Sequence, residues 1–256
     1  MIFVLSGEDG DTDLGKCLNS QGQCEGDDFK IGPMTVLLDQ MLELRLGYSV
    51  RSIPIGYHYV SKIHLVEKMS ERKNNTRNIS FVGKKRDQET GYFYTNAWML
   101  AEIAQALEES RQDQAVAVLF RDCDGTRTTQ SGLWQSKWES MVNGFKRAHF
   151  NRGVPILPNP KSEAWLLCAA TPQLSDCARF EHISGNDDSP NSAKAQLDAV
   201  LGGHQTGATL CDWLEAHPID ETRAASMPSF KAFQQSLEQA LIAAGIPRQN
   251  AQHTSH

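Results

Sequence analysis

Two aspartates one residue apart, Asp122 and Asp124, close an apolar run in the stretch AVAVLFRDCDGT, residues 115–126. Side chains two positions apart on an extended chain point the same way, so a strand ending here delivers both carboxylates to one point. At about 4 Å and an effective dielectric near 20, two such anions repel by roughly 4 kcal/mol. A divalent cation offsets that repulsion, and Mg²⁺ prefers oxygen ligands of this kind. Glu8 follows a second apolar run, IFVLS at 2–6, and Glu163 opens a segment after a third, VPIL at 154–157. Four acids at the ends of three elements make a candidate cation pocket. Each also has an ordinary structural role: an aspartate can cap a turn, and Glu163 can complement a helix dipole.

The elements that must carry these residues follow from patterning. Residues 2–6 are expected as a strand, followed by the acidic loop GEDGDTD at 7–13. From Pro33, Val36, Leu37, Met41 and Leu44 recur at helical spacing, with Gly47 as a stop. Residues 49–55 are expected as a second strand, which Pro54 weakens. A helix over 96–109 takes Asn96 as its N-cap. A strand over 115–121, a helix from Trp134 to Phe150, a strand from Val154 to Leu157 and a helix starting near Lys161 complete the series. Strands alternating with helices imply an α/β fold with a mainly parallel central sheet flanked by helices. Beyond it lie helical patterns at 192–201, 208–216 and 229–244. The division is therefore a catalytic domain over 1–170 and a helical C-terminal region over 171–256 packed on it, with a frayed tail, RQNAQHTSH.

The chain has 256 residues, a net charge of −6 and no apolar run long enough for a bilayer. It is expected to be cytoplasmic and neither exported nor membrane-spanning. The acidic balance excludes holding nucleic acid by bulk positive charge, so any such contact must be local. Six cysteines without a C-x-x-C pair are expected as reduced thiols and not as a zinc site. The histidines offer no H-x-x-x-H pair, and VGKKR at 82–86 lacks the glycine and Ser/Thr of a P-loop, so no ATP hydrolysis is expected from this chain itself.

Taken together, FVLSGEDGDTDLG, VLFRDCDGT and ILPNPKSEAWLLCAA resemble TOPRIM-fold proteins, and more closely the nucleases of the overcoming-lysogenisation-defect type and small TOPRIM-like proteins found beside ATPases in bacterial anti-phage systems. NSAKAQL and MPSFKAFQQSLEQAL are similar to the helical tail of the small proteins. In that family a glutamate ends the first strand, an acid follows in the next loop and a D-x-D ends the third strand. The resemblance implies phosphodiester hydrolysis with one or two Mg²⁺ or Mn²⁺ ions. It places Glu8, Asp122 and Asp124 in the site, with Glu8 as ligand or general base. Asp13 corresponds to the loop acid, although Asp9 looks inserted and Asp11 is a substitute. Glu163 resembles a second-metal ligand, and Lys161 is a candidate for stabilising the scissile phosphate. A separate ATPase is the implied partner.

DCDGT is also the nucleophile motif of haloacid-dehalogenase-type phosphatases, and GNDD, with Asp187 and Asp188, is similar to that family's later acidic motif. In that family the first motif sits on an early strand, whereas here more than a hundred residues precede it. A catalytically silent interaction subunit is the third reading. For nucleic-acid contact the candidates are Arg72, Lys73, Arg77, Lys84, Lys85 and Arg86, with Phe81, Tyr92, Phe93 and Tyr94 nearby to stack bases. Trp134, Trp138 and Trp165 are expected in the core.

Overall fold

An unbroken apolar run has no face to give to solvent, and the chain buries such runs side by side. The computed structural model describes residues 1–248 apart from Thr12, 76–87 and 124–131, and leaves out the side chains of 73–75 and 88–89. In chain order the strands and helices are β1 (Ile2–Ser6), β2 (Gly15–Cys17), β3 (Gln23–Glu25), β4 (Phe29–Ile31), α1 (Pro33–Leu46), β5 (Tyr57–Val60), α2 (Lys62–Asn75), α3 (Gln88–Arg111), β6 (Ala115–Phe120), α4 (Leu133–Arg147), β7 (Gly153–Ile156) and α5 (Ser162–Ala170). Four more helices follow, α6 (Ala193–Val200), α7 (Gly207–Ala216), α8 (Glu221–Ala224) and α9 (Pro228–Ala243).

The main sheet runs β3-β5-β1-β6-β7, with β5, β1, β6 and β7 parallel and β3 antiparallel at the edge. β2 and β4 form a separate antiparallel ribbon. Side-chain alternation splits the sheet into two buried faces. Phe3, Leu5, Val116, Val118 and Phe120 share one core with α1 and α5, while Ile2, Val4, Ala115, Ala117 and Leu119 share the other with α3 and α4.

The order of the parallel strands decides where a ligand can sit. The chain passes from β1 to β5 on one side, then crosses back over β1 to β6 on the other, and α1 and α3 lie on opposite faces. Helices leaving in opposite directions open a crevice at the carboxyl ends of β1 and β6, the usual ligand position of open α/β sheets.

Several expectations shift. The second strand is not 49–55: Val50–Ser52 form a 3₁₀ turn, and Tyr57–Val60 take the place beside β1. Pro54 lacks the N–H a sheet ladder needs, which moves the strand past it. Asn96 is not a cap but an interior residue of α3, because the stripe of Phe93, Ala97 and Trp98 carries the helix back to Gln88. Helix α1 runs from Pro33 as expected and stops at Gly47, whose left-handed φ of 79° suits glycine. The C-terminal helices pack on the sheet: Leu197, Leu214, Phe230, Phe233 and Leu237 belong to the same core as Phe3 and Val118. Trp165 is fully buried there, whereas Trp134 and Trp138 stack on each other at the partly buried margin of the second core. The thiol expectation is also corrected: Cys17 is bonded to Cys24 and Cys168 to Cys177, with Cys123 and Cys211 free. Among the described residues no helix is long and apolar enough to cross a membrane.

Candidate functional site

The loop after β1 carries four described acids, and hydrogen bonding sorts them. Asp13 is buried and accepts three backbone N–H groups, from Glu8 at 2.6 Å and Gly10 at 3.4 Å on one oxygen and from Gly15 at 2.8 Å on the other. It folds the loop into a cradle around itself. A Cβ on Gly7 would stand 3.0 Å from its carboxylate, so that position has little room for more than hydrogen. Asp9, with φ of 64°, accepts the Tyr59 hydroxyl at 2.9 Å and the Lys62 N–H at 3.0 Å, tying the loop to the start of α2. Asp11 lies near the surface and pairs with Lys16 at 2.9 Å and Lys30 at 3.5 Å. Glu8 is different: its carboxylate is partly exposed and accepts no hydrogen bond among the described residues.

Asp13 is therefore engaged in shaping the loop, and Asp11 is engaged by lysines. Burial pushes the Asp13 carboxyl up to about 6, against the pull of its three amide donors. A raised folded-state value means stability that is complete below the ordinary value of 3.8 and lost as pH rises through about 6. Two units correspond to about 3 kcal/mol. Wild-type stability should therefore decline by up to about that amount between pH 4 and 7 relative to Asp13→Asn, which lacks the titration but carries a constant penalty for its weaker acceptor. Parallel urea-denaturation curves for the two proteins across that range would refute the assignment.

Asp122 stands two residues beyond β6, as Glu8 stands two beyond β1, and the paired register of Ser6 with Leu119 brings both to the same edge. One Asp122 oxygen accepts the Ser162 N–H at 3.0 Å, joining the end of β6 to the start of α5. The next residue, Glu163, is buried, and burial raises its carboxyl above the ordinary value. Ser162 Oγ lies 3.4 Å from it. Glu8, Asp122 and Glu163 thus come from three segments to one end of the sheet. Asp124 lies outside the described residues. Among those described, no three His, Cys, Asp or Glu side chains stand close enough to form a ready metal cage.

Two buried cations brace this edge, and sequence reasoning passed over both. Arg121 is fully buried, and one terminal nitrogen donates to Gly7 O at 2.6 Å and Phe120 O at 2.6 Å, with Ser6 O at 3.5 Å. It pins the backbone just before Glu8 to the backbone just before Asp122. Lys137, buried on α4, donates to Cys123 O at 2.6 Å and packs over the Phe93 ring. The visible signal is a charge continuing the alternation of a buried strand, since Arg121 follows Ala115, Ala117 and Leu119 onto the α3 face.

The remaining candidates are committed elsewhere or lie beyond description. Lys161 pairs with Asp187 at 3.0 Å, so its charge is already engaged. Arg72 donates to Glu102 and lies over the Trp98 ring, anchoring α2 to α3. The side chain of Lys73 and all of Arg77, Phe81, Lys84, Lys85 and Arg86 lie outside the described residues. Tyr92 packs on Arg121, Phe93 is buried under Lys137, and Tyr94 meets Trp98 edge-on. Comparison with protein-family models, with curated proteins and with solved structures finds no match to this chain.

Proposed function

We propose that the protein hydrolyses phosphodiester bonds of nucleic acid in a reaction that depends on Mg²⁺ or Mn²⁺. The observation that carries this reading is Glu8: a carboxylate without a protein partner among the described residues, held at the sheet's switch point on the same edge as Asp122, while its neighbours Asp9, Asp11 and Asp13 are all engaged. The D-x-D follows β6, the third parallel strand in chain order, and Glu8 follows the first, which is the pattern of the TOPRIM-like proteins the sequence resembles. The donor set is oxygen only, which suits a hard divalent cation. Glu8, Asp122 and Asp124 would hold it, with Glu163 available for a second. Such an ion supplies charge neutralisation for the phosphate and a lowered pKa for bound water. Asp13 sets the position of Glu8 through the Glu8 N–H, and Arg121 and the Ser162 N–H set that of Asp122. On the resemblance alone, the partner is a separate ATPase of an anti-phage system.

One observation favours a phosphatase of the haloacid-dehalogenase type instead. The ion pair of Lys161 with Asp187 brings the GNDD acid next to Ser162, which binds Asp122. That chemistry needs Asp122 and not Glu8. The test is to incubate the purified protein with Mn²⁺ and single- and double-stranded DNA, RNA and p-nitrophenyl phosphate. Cleavage of polynucleotide that stops on chelation is expected. Turnover of the phosphomonoester with polynucleotide intact would replace the nuclease by the phosphatase, and absence of Mn²⁺ binding in calorimetry would leave the interaction subunit.

A further inference from the structure

The guanidinium of Arg121 is used on one side only. One terminal nitrogen serves backbone carbonyls, while Nε and the other terminal nitrogen are buried with no hydrogen-bond partner among the described residues. Those two nitrogens form the side edge of the guanidinium, the pair of parallel N–H donors that matches two oxygens of a phosphate or carboxylate. Leaving a buried charged donor unmatched costs more than leaving a neutral one.

The surroundings repeat the pattern. Ser6 Oγ, Tyr92 Oη and Asn96 Nδ2 are likewise buried without a partner among the described residues. Ser6 and Arg121 both face α3 by strand alternation, at the carboxyl ends of neighbouring strands. Tyr92 and Asn96 are one turn apart on α3, and the Tyr92 ring centre lies 5.4 Å from the Arg121 guanidinium. Lys62 Nζ approaches the same ring to 5.3 Å from the partly exposed start of α2, so Tyr92 links the buried edge to a second cation at the rim. All four side chains can donate, and each has at least one polar atom without a partner among the described residues. A cluster of donors around a buried cation has the chemistry of an oxyanion site, and natural proteins seldom leave so many polar atoms unmatched in one place.

We propose that this cluster of donors, on the α3 side of the sheet behind the acidic edge, binds a phosphate group through the unmatched edge of Arg121, with Tyr92, Asn96 and Ser6 completing the donors. The donors lie on the α3 face of the same edge: Arg121 and Ser6 face α3, whereas Phe120 and the helix that carries Glu163 belong to the opposite core. Under the nuclease reading its ligand is a phosphate of the polynucleotide next to the one attacked, but phosphate binding itself does not depend on that reading.

The test uses inorganic phosphate on the full chain without metal, by calorimetry and thermal shift, with chloride at equal ionic strength as the control. Wild type should bind phosphate, and Tyr92→Phe and Asn96→Leu, which each remove one unmatched group at nearly constant volume, should each weaken it about tenfold. Arg121→Gln should abolish binding if it folds; should it not fold, the two milder variants decide. Glu8→Gln should keep full phosphate affinity while losing Mn²⁺, so failure of the metal site and failure of this site are separable. No phosphate binding by wild type, or affinity unchanged in both Tyr92→Phe and Asn96→Leu, overturns the proposal.

Discussion

Replacing Glu8 by glutamine is expected to lower metal-dependent polynucleotide cleavage by on the order of 10³-fold, with stability changed by less than about 0.5 kcal/mol. The two halves follow from one fact. The Glu8 side chain accepts nothing from the described protein and is partly exposed, so folding does not rest on it. Its backbone is held at the sheet edge by bonds that glutamine leaves intact, namely the Glu8 N–H to Asp13 and the Gly7 carbonyl to Arg121. Glutamine keeps the shape and removes the anion, and a neutral amide is a poor ligand for a hard cation. Asp122→Asn should show a similar loss, because its remaining amide oxygen still accepts the Ser162 N–H. Rates measured in Mn²⁺, together with urea denaturation of each variant, check both halves. Undiminished activity in Glu8→Gln with loss in Asp122→Asn would point to the phosphatase, and undiminished activity in both would end the metal scheme.

Trp165→Ala should cost about 3–5 kcal/mol, the range for emptying a large aromatic site in a core. The indole is fully buried, stacks on Phe233 at 5.6 Å, meets Phe230 edge-on at 5.0 Å and donates to Ser229 Oγ at 2.9 Å. The substitution leaves both a cavity and a buried hydroxyl without its donor. All three contacts reach from α5 to α9, so the loss is felt where the first 170 residues meet the last helices. At a few degrees per kcal/mol for a chain of this size, Tm should fall by roughly 6–20 °C. The transition should stay single, and a fragment ending at residue 170 should not fold. A stable fragment, or two separate transitions in the full chain, would restore the division into two independent regions.

Much of the scaffold was legible in the residues. The runs IFVLS and AVAVLF are buried on both faces, so they carry no polar alternation to obscure them, and acids that follow such runs must surface at the sheet's edge. Pro33 and Gly47 mark α1 through local backbone chemistry alone, which any window of sequence contains. What stayed hidden was non-local. Strand β3 is three residues long and takes its identity from pairing with β5. The bonded cysteines meet only because the chain doubles back on itself.

The site divides along the same line. By itself the sequence determined that Glu8, Asp122 and Glu163 lie at the ends of α/β elements, because strand ends and apolar periodicity are short-range properties. Only the tertiary structure decided which charged side chains are engaged, because that depends on partners brought together by folding: Asp13 by the backbone of its own folded loop, Asp9 by Tyr59 and Lys62, and Lys161 by Asp187. It alone also turned Arg121, an unremarked letter between a strand and its aspartate, into the buried charge that joins the two strand ends, since two of the carbonyls it binds, those of Ser6 and Gly7, belong to residues more than a hundred positions away.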